Sequence, residues 1–317
     1  MALTSTIGSA GRDATVESVR RQLTEAPRDL TGQVFRALLL AALGVSILVL
    51  VVLFVDVLST GSGVFADRAE SFLSGGLRTS ADAAGVFQAI RGTFWIAVFV
   101  IVLAFPVGIG AALYLEEYAT KGRLTRVLDI NIRNLAGVPS IVYGILGLTL
   151  FVQTFDGFTG GRTLMSAGLT LAILVLPIII ITSAEAVRAV PQSLREAGFG
   201  VGATRWEVTR SQVIPYALPG IITGTVLALA RAIGEAAPLL LCGAVTGLLP
   251  GREGLLDVGQ LTDRFTALPI VIAEWSRTPR AGFDEIAAAA IIVMLAIVLA
   301  MNTVAIVLRN HFEKKRT

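Results

Sequence analysis

From residue 34 onward the chain is dominated by long apolar runs separated by short polar stretches. A helix crossing a hydrocarbon core of about 30 Å needs about 20 mainly apolar residues. Six stretches meet that length: 34–58, 93–114, 135–155, 164–186, 217–241 and 286–308. The pattern predicts an all-α integral membrane protein with six transmembrane helices. The third stretch is interrupted by Pro139 and several glycines, which membrane helices tolerate because neighbours satisfy the freed backbone groups. The first apolar stretch is too long for the core of a cleavable signal and has no small-residue cleavage site beside it, so it is expected to stay as a span.

The polar segments supply the topology. Residues 1–32 read as a cytoplasmic arm, 33–310 as the membrane domain and 311–317 as a basic tail. Arginine and lysine concentrate on alternate connections. Arg12, Arg20, Arg21, Arg28 and Arg36 precede or open the first span. Lys121, Arg123, Arg126 and Arg133 follow the second, Arg188, Arg195, Arg205 and Arg210 follow the fourth, and Arg309, Lys314, Lys315 and Arg316 follow the last. The excess of basic residues on this side places both termini in the cytoplasm. Two sizeable connections, about 59–92 and 243–285, then face outward, and Trp275 in the second reads as an interface anchor.

Composition narrows the function classes. Charged residues make up 15% of the chain and hydrophobic ones 54%, where soluble domains carry about 25% charged residues. The single cysteine, Cys242, excludes an intrachain disulfide and reads as a small apolar filler at a helix end. The single histidine, His311, lies beside the basic tail with no partners for a metal cluster. The three lysines, Lys121, Lys314 and Lys315, follow Thr120, Glu313 and Lys314. A phosphate-binding loop needs a lysine directly after glycine, so ATP hydrolysis by that route is excluded. Energy for active transport must come from a partner chain or an ion gradient.

The fifth stretch carries two charges, Arg231 and Glu235, inside an apolar helix. A charge at bilayer centre costs about 2.5–3.5 kcal/mol on insertion scales. At about 100° per residue, Gly224, Ala228, Arg231, Glu235 and Pro238 fall within one sector about 80° wide. Ile222, Val226, Leu229, Ile233 and Leu240 fall opposite. The small, charged face is expected to look toward the bundle, a partner or an aqueous path. Arg231 can then serve as a site for an oxyanion, which its planar fork suits, with Glu235 holding it or tuning its charge. The other reading is an internal pair that only locks helix packing.

The fourth connection reads as a short helix–turn–helix: Pro191 starts a helix, Ser193 caps its first turn with Glu196 three residues on, Gly200 and Gly202 make a turn, and 203–212 form a second helix. Glu196-Ala197-Gly198, Gly202 and Val213-Ile214-Pro215 resemble the "EAA" loop of ABC importer permeases. Gly198, Gln212 and Ile214 depart mildly from that pattern. Gly137-Val-Pro-Ser-Ile-Val-Tyr-Gly144, the run from Leu169 to Ile180 followed by Glu185-Ala-Val-Arg188, and Arg231-Ala-Ile-Gly-Glu235 with Ala237-Pro238 resemble phosphate importer permeases of the PstA type. Ala267-Leu-Pro269 and Asn302-Thr-Val-Ala305 fit as well. Ala230 and Ala236 stand where that family has glycine and threonine.

The resemblance implies a type I ABC importer permease in a bacterial cytoplasmic (inner) membrane. Its expected partners are a PstC-type permease, two PstB-type ATPase subunits that hold ATP and Mg²⁺, and a PstS-type extracytoplasmic phosphate-binding protein, with no cofactor on this chain and no nucleic acid. Glu196, Ala197, Gly198, Gly202 and Pro215 would couple to the ATPase, and Arg231, Glu235, Glu185 and Arg188 would line the path. A Glu185–Arg188 salt bridge at the interface is the alternative for the last two. A permease for another oxyanion such as sulfate or molybdate, an ion-coupled secondary transporter and a sensing membrane subunit are the competing functions.

Overall fold

The structure is a computed structural model that describes residues 30–120, 122–246, 249 and 254–314. The arm through residue 29, Lys121, Arg252 and the tail residues Lys315 and Arg316 lie outside the described residues. Among the described residues all regular structure is helical. The helices are α1 (Leu30–Ser74), α2 (Phe87–Tyr118), α3 (Arg123–Ala136), α4 (Ser140–Thr154), α5 (Leu164–Arg188), α6 (Gln192–Gly200), α7 (Arg205–Gly234), α8 (Ala237–Leu241), α9 (Leu268–Trp275) and α10 (Phe283–Lys314). Five of them, α1, α2, α5, α7 and α10, are long and apolar enough to cross a bilayer, and the pair α3–α4 gives a sixth crossing if it counts as one.

The chain divides into two units, residues 1–56 and 57–317. The first holds the start of α1, where Val34, Leu38, Leu48 and Leu50 are exposed, as side chains meeting lipid are. In the second unit α1 runs on to a kink at Arg68, whose backbone is not helical. The Arg68 guanidinium donates to the carbonyls of Ala81 (2.5 Å) and Ala84 (2.9 Å), tying the kink to the turn that follows.

The hub of the second unit is α5. Most of its side chains are buried, and α2, α3, α4 and α7 all pack on it. It begins with a cap, the Thr163 hydroxyl accepting from the Ser166 amide. Small residues set the close approach. A side chain on Gly108 of α2 would come within 2.6 Å of Ile179, and one on Gly220 of α7 within 2.8 Å of Ala186. Without a strong hydrophobic drive between helices in lipid, such close contact supplies the dispersion energy of association. A second cluster joins the end of α1 to α9 and α10 through Phe72, Trp275, Phe283 and Ile286.

Three expectations change here. Stretch 135–155 is not one helix. It breaks at Gly137–Pro139 with a bend of 99°, so Leu135 belongs to the amphipathic α3 and the apolar segment is α4. Proline explains the break, because it cannot donate to the preceding turn and crowds it. Stretch 217–241 is likewise divided, since Glu235 takes an extended conformation (φ −81°, ψ 122°) and α8 starts anew behind it. Trp275 is not an exposed anchor: it is 3% exposed and packs on Phe72, with ring centroids 6.5 Å apart.

Replacing Gly108 by leucine is expected to lower the thermal midpoint of the detergent-solubilised protein, overpacking at α5 costing about 1–3 kcal/mol. Leucine at Gly110, with nothing within 4 Å of its would-be side chain, is expected to leave the midpoint unchanged. Equal midpoints for the two variants would show that the α2–α5 contact is not tight.

Candidate functional site

Arg231 sits in the last turn of α7 and Glu235 at the break that follows. The division of the helix at Glu235 removes Pro238 from the continuous face on which sequence spacing places it. Arg231, Leu227 and Thr223 form an exposed stripe along α7, while Gly224 and Ala228, which sequence spacing places on the charged face, are buried with Leu229, Ala232 and Ile233. The charged stripe therefore looks away from this chain's own bundle. Arg231 Nε meets Glu235 Oε1 at 3.4 Å, and the side chains are 45% and 19% exposed. A single long contact of this kind is weak, and both Nη groups of Arg231 have no hydrogen bond among the described residues. The pair is thus not sealed in packing, and the guanidinium keeps its fork free.

The broken helix rests on the other break. Gly144 of α4 abuts Pro238: a side chain there would lie 2.8 Å from the proline Cα and from Leu241. Next to it, the buried Tyr143 donates its hydroxyl to the carbonyl of Leu135 (2.9 Å), locking the end of α3 onto α4 across the bend. The two motifs, 137–144 and 231–238, are remote in sequence and adjacent in space. Cys242, just past α8, is buried with its sulfur 3.3 Å from the Thr170 hydroxyl.

α6 and the start of α7 form a hairpin of helices, the expected short second helix over 203–212 being the first turns of the long α7 (Arg205–Gly234), and its capping also differs from the expectation. No side chain caps the start of α6, so Ser193 and Glu196 do not form a box. The capping box is at Thr204 and Glu207, where each side chain meets the other's amide. Ser193 fails because Pro191 holds the cap position, which puts Ser193 two residues past it and inside the first turn. Gly202 has φ +83°, a conformation that favours glycine, and Gly198 lies against Val208, with only 2.7 Å for an added side chain. Gly202 and Gly198 together fold the hairpin back on itself, and Pro215 opens the apolar part of α7 after a π turn at Thr209–Val213. Glu196 and Ala197 are exposed on α6.

Two adjacent glutamates at the end of α2, within a π turn at Tyr114–Tyr118, hold this face together. Glu117 pairs with Arg195 of α6 at 2.7 Å, with side chains 9% and 13% exposed. Arg195 also donates to the carbonyls of Val190 (2.7 Å) and Val187 (3.0 Å). Glu116 takes Arg188, at the end of α5, in a two-point contact. The carboxylate that Arg188 grips is therefore Glu116, not Glu185, which is exposed. At three positions' separation on α5, Glu185 projects to solvent while Arg188 turns toward α2.

Sequence reasoning missed Glu116 and Glu117, whose signal was only their adjacency at a span end. It also missed an exposed apolar tip on the hairpin: Phe199, Val201 and Trp206 are 46%, 85% and 56% exposed. Large apolar side chains flanking a glycine turn were the available signal.

Residues 104–317 match the family described as binding-protein-dependent transport system inner membrane component. The chain is 34% identical over 235 residues to the phosphate transport system permease protein PstA 1 of Mycobacterium tuberculosis, covering 74% of this chain and 73% of that protein. It is 38% identical over 173 residues to the phosphate transport system permease protein PstC of Mesorhizobium japonicum, covering 48% and 53%. Its fold is similar to a chain of a bacterial alginate ABC transporter crystallised with an alginate-bound periplasmic protein, with TM-score 0.60, 17% identity and coverage of 91% and 98%.

Neutralising Glu117 (Glu117→Gln) is expected to raise chymotryptic cleavage after Phe199 on the order of tenfold, because losing one partner of a buried pair opens the hairpin. Glu116→Gln, at the more exposed pair, is expected to change it little. Equal cleavage rates in the wild type and Glu117→Gln would remove the clamp role.

Proposed function

This chain belongs to the family of binding-protein-dependent transport system inner membrane components, and from that membership we propose that it is the PstA-type permease subunit of an ATP-driven phosphate importer. The chain is a multi-pass membrane transport subunit and not an enzyme. The observation that carries the phosphate reading is the exposed guanidinium of Arg231 on a membrane helix, 45% accessible and weakly paired. A charge at that depth cannot face hydrocarbon, so this face of α7 looks into water or onto a partner. A second permease of the PstC type, to which the sequence is also related, closes the path from the other side. Arg231 then meets phosphate as it passes. Its partial neutralisation by Glu235 keeps the attraction strong enough to admit a dianion and weak enough to release it.

The hairpin is the coupling element. It places Phe199, Val201 and Trp206 on its surface, is tied to α2 by Glu117–Arg195 and to the end of α5 by Arg195 and the Val187 carbonyl, and Glu116–Arg188 joins α2 to α5 beneath it. An apolar tip on a charge-anchored knob suits insertion into a cleft of an ATPase subunit, where ATP and Mg²⁺ belong. Movement of the knob is passed to α2 and α5 and switches access to the path. In this reading the hairpin and both termini are cytoplasmic, in agreement with the bias of basic residues, and the opposite face receives an extracytoplasmic phosphate-binding protein. Glu185, exposed near the inner end of α5, lies at the exit.

Arg231→Gln, in the complete transporter reconstituted in vesicles, is expected to abolish phosphate uptake while the subunits still copurify. Uptake at the wild-type rate would remove Arg231 from the path. Gly202→Val forces a β-branched side chain into a left-handed turn, a strain of about 1–3 kcal/mol. It is expected to leave basal ATP hydrolysis in place and to remove its stimulation by the loaded binding protein. Retained stimulation would mean that the hairpin is not the coupling element.

A further inference from the structure

On the hairpin face Arg133, Arg188 and Arg195 have carboxylate partners, Asp129, Glu116 and Glu117, while the exposed Arg123, Arg126 and Arg210 make no ion pair among the described residues. The other face lies at the far end of α5, where the Leu164 amide meets the carbonyl of Asp263. There Arg78, Arg162, Arg264, Arg277 and Arg280 are exposed. None of these five makes an ion pair among the described residues.

Two of these arginines line a cavity of about 470 Å³, whose walls include Leu240, Ala244, Thr246, Arg264, Glu274 and Arg277. A neighbouring cavity of about 470 Å³ shares Thr246, Glu274 and Arg277 and adds Arg78 and Arg280. The stem of Arg162 abuts Gly243, beside Ala244. Among the described residues Glu274 is the only carboxylate lining either cavity, so positive charge prevails among them in both. The cavities also have a direction: Leu240 belongs to α8, and the break before α8 holds Glu235, one turn past Arg231.

We propose that Arg264 and Arg277 form an entry vestibule for an oxyanion, which collects the ion at the outer face and presents it to Arg231 along α8. A concave surface of one sign concentrates counter-ions by about tenfold or more. Exposed, separate guanidinium groups hold a hydrated anion loosely, so the ion is passed on and not trapped. The identity of the anion as phosphate and its inward direction rest on the function proposed above; the electrostatic role of the cavity does not. The concavity and the continuity with α8 favour a small anion over the surface of an acidic protein, for which a flat rim would serve.

The test uses Thr246, which lines both cavities, in the assembled transporter carrying Thr246→Cys. The native Cys242 is buried and gives no background with water-borne reagents. Modification rates by an anionic and a cationic methanethiosulfonate are compared, each relative to free cysteine. The anionic reagent is expected to be favoured about tenfold, and millimolar inorganic phosphate to slow it more than chloride of equal ionic strength. Adding Arg264→Gln and Arg277→Gln should remove both effects, and Arg264→Lys with Arg277→Lys should restore the charge preference. An unchanged preference in the glutamine variant overturns the vestibule, and so does an unchanged preference combined with weaker capture of the phosphate-binding protein, which would mark a docking patch. Loss of phosphate uptake by the wild type would instead strike the function proposed earlier, because the modification assay reads the cavity without transport.

Discussion

The guanidinium of Arg231 is the constraint around which the membrane domain is arranged. It lies in the last turn of a membrane helix, nearly half exposed, with one long contact to Glu235. Hydrocarbon cannot accept that group. The demand is met if this surface of α7 faces a wet path or a partner. The helix that follows the break at Gly137–Pro139 packs on the helix that follows the break at Glu235, because Gly144 of α4 abuts Pro238 of α8. Tyr143 secures the bend at Gly137–Pro139 through the Leu135 carbonyl.

Rigidity around that region comes from α5. Small residues on α2 and α7 let both helices approach it closely, at Gly108 with Ile179 and Gly220 with Ala186. The same helix ends at Arg188, which Glu116 fixes, and the next helix begins near Arg195, which Glu117 fixes. The adjacent glutamates of α2 therefore link a scaffold helix to the hairpin. A hairpin held only by its chain ends could move alone, whereas the largely buried Glu117–Arg195 pair fixes this one to α2.

Arginines with and without carboxylate partners do different physical work. Arg195, paired with the largely buried Glu117, fixes the geometry of the hairpin against α2. Arg264 and Arg277, with no ion pair among the described residues, leave positive charge at the cavity they line.

Much of this was legible in the sequence. Apolar runs of span length, the basic bias, the missing phosphate-loop lysine and the spacing of 196–215 and 231–238 specify a polytopic membrane permease, because bilayer thickness and insertion cost act on composition alone. The residue types at Arg231, Glu235, Gly202 and Gly198 were readable for the same reason. Tertiary structure decided the partners. Arg188 looks three residues back to Glu185 in sequence, but the fold brings Glu116 closer. Ser193 has the composition of a cap, but Thr204 has the geometry. Trp275 resembles an interface anchor until Phe72 covers it. Stretches 135–155 and 217–241 read as continuous because hydropathy counts side chains and does not see where a backbone turns. Contacts between residues far apart in the chain depend on how helices cross, and no local pattern carries that information.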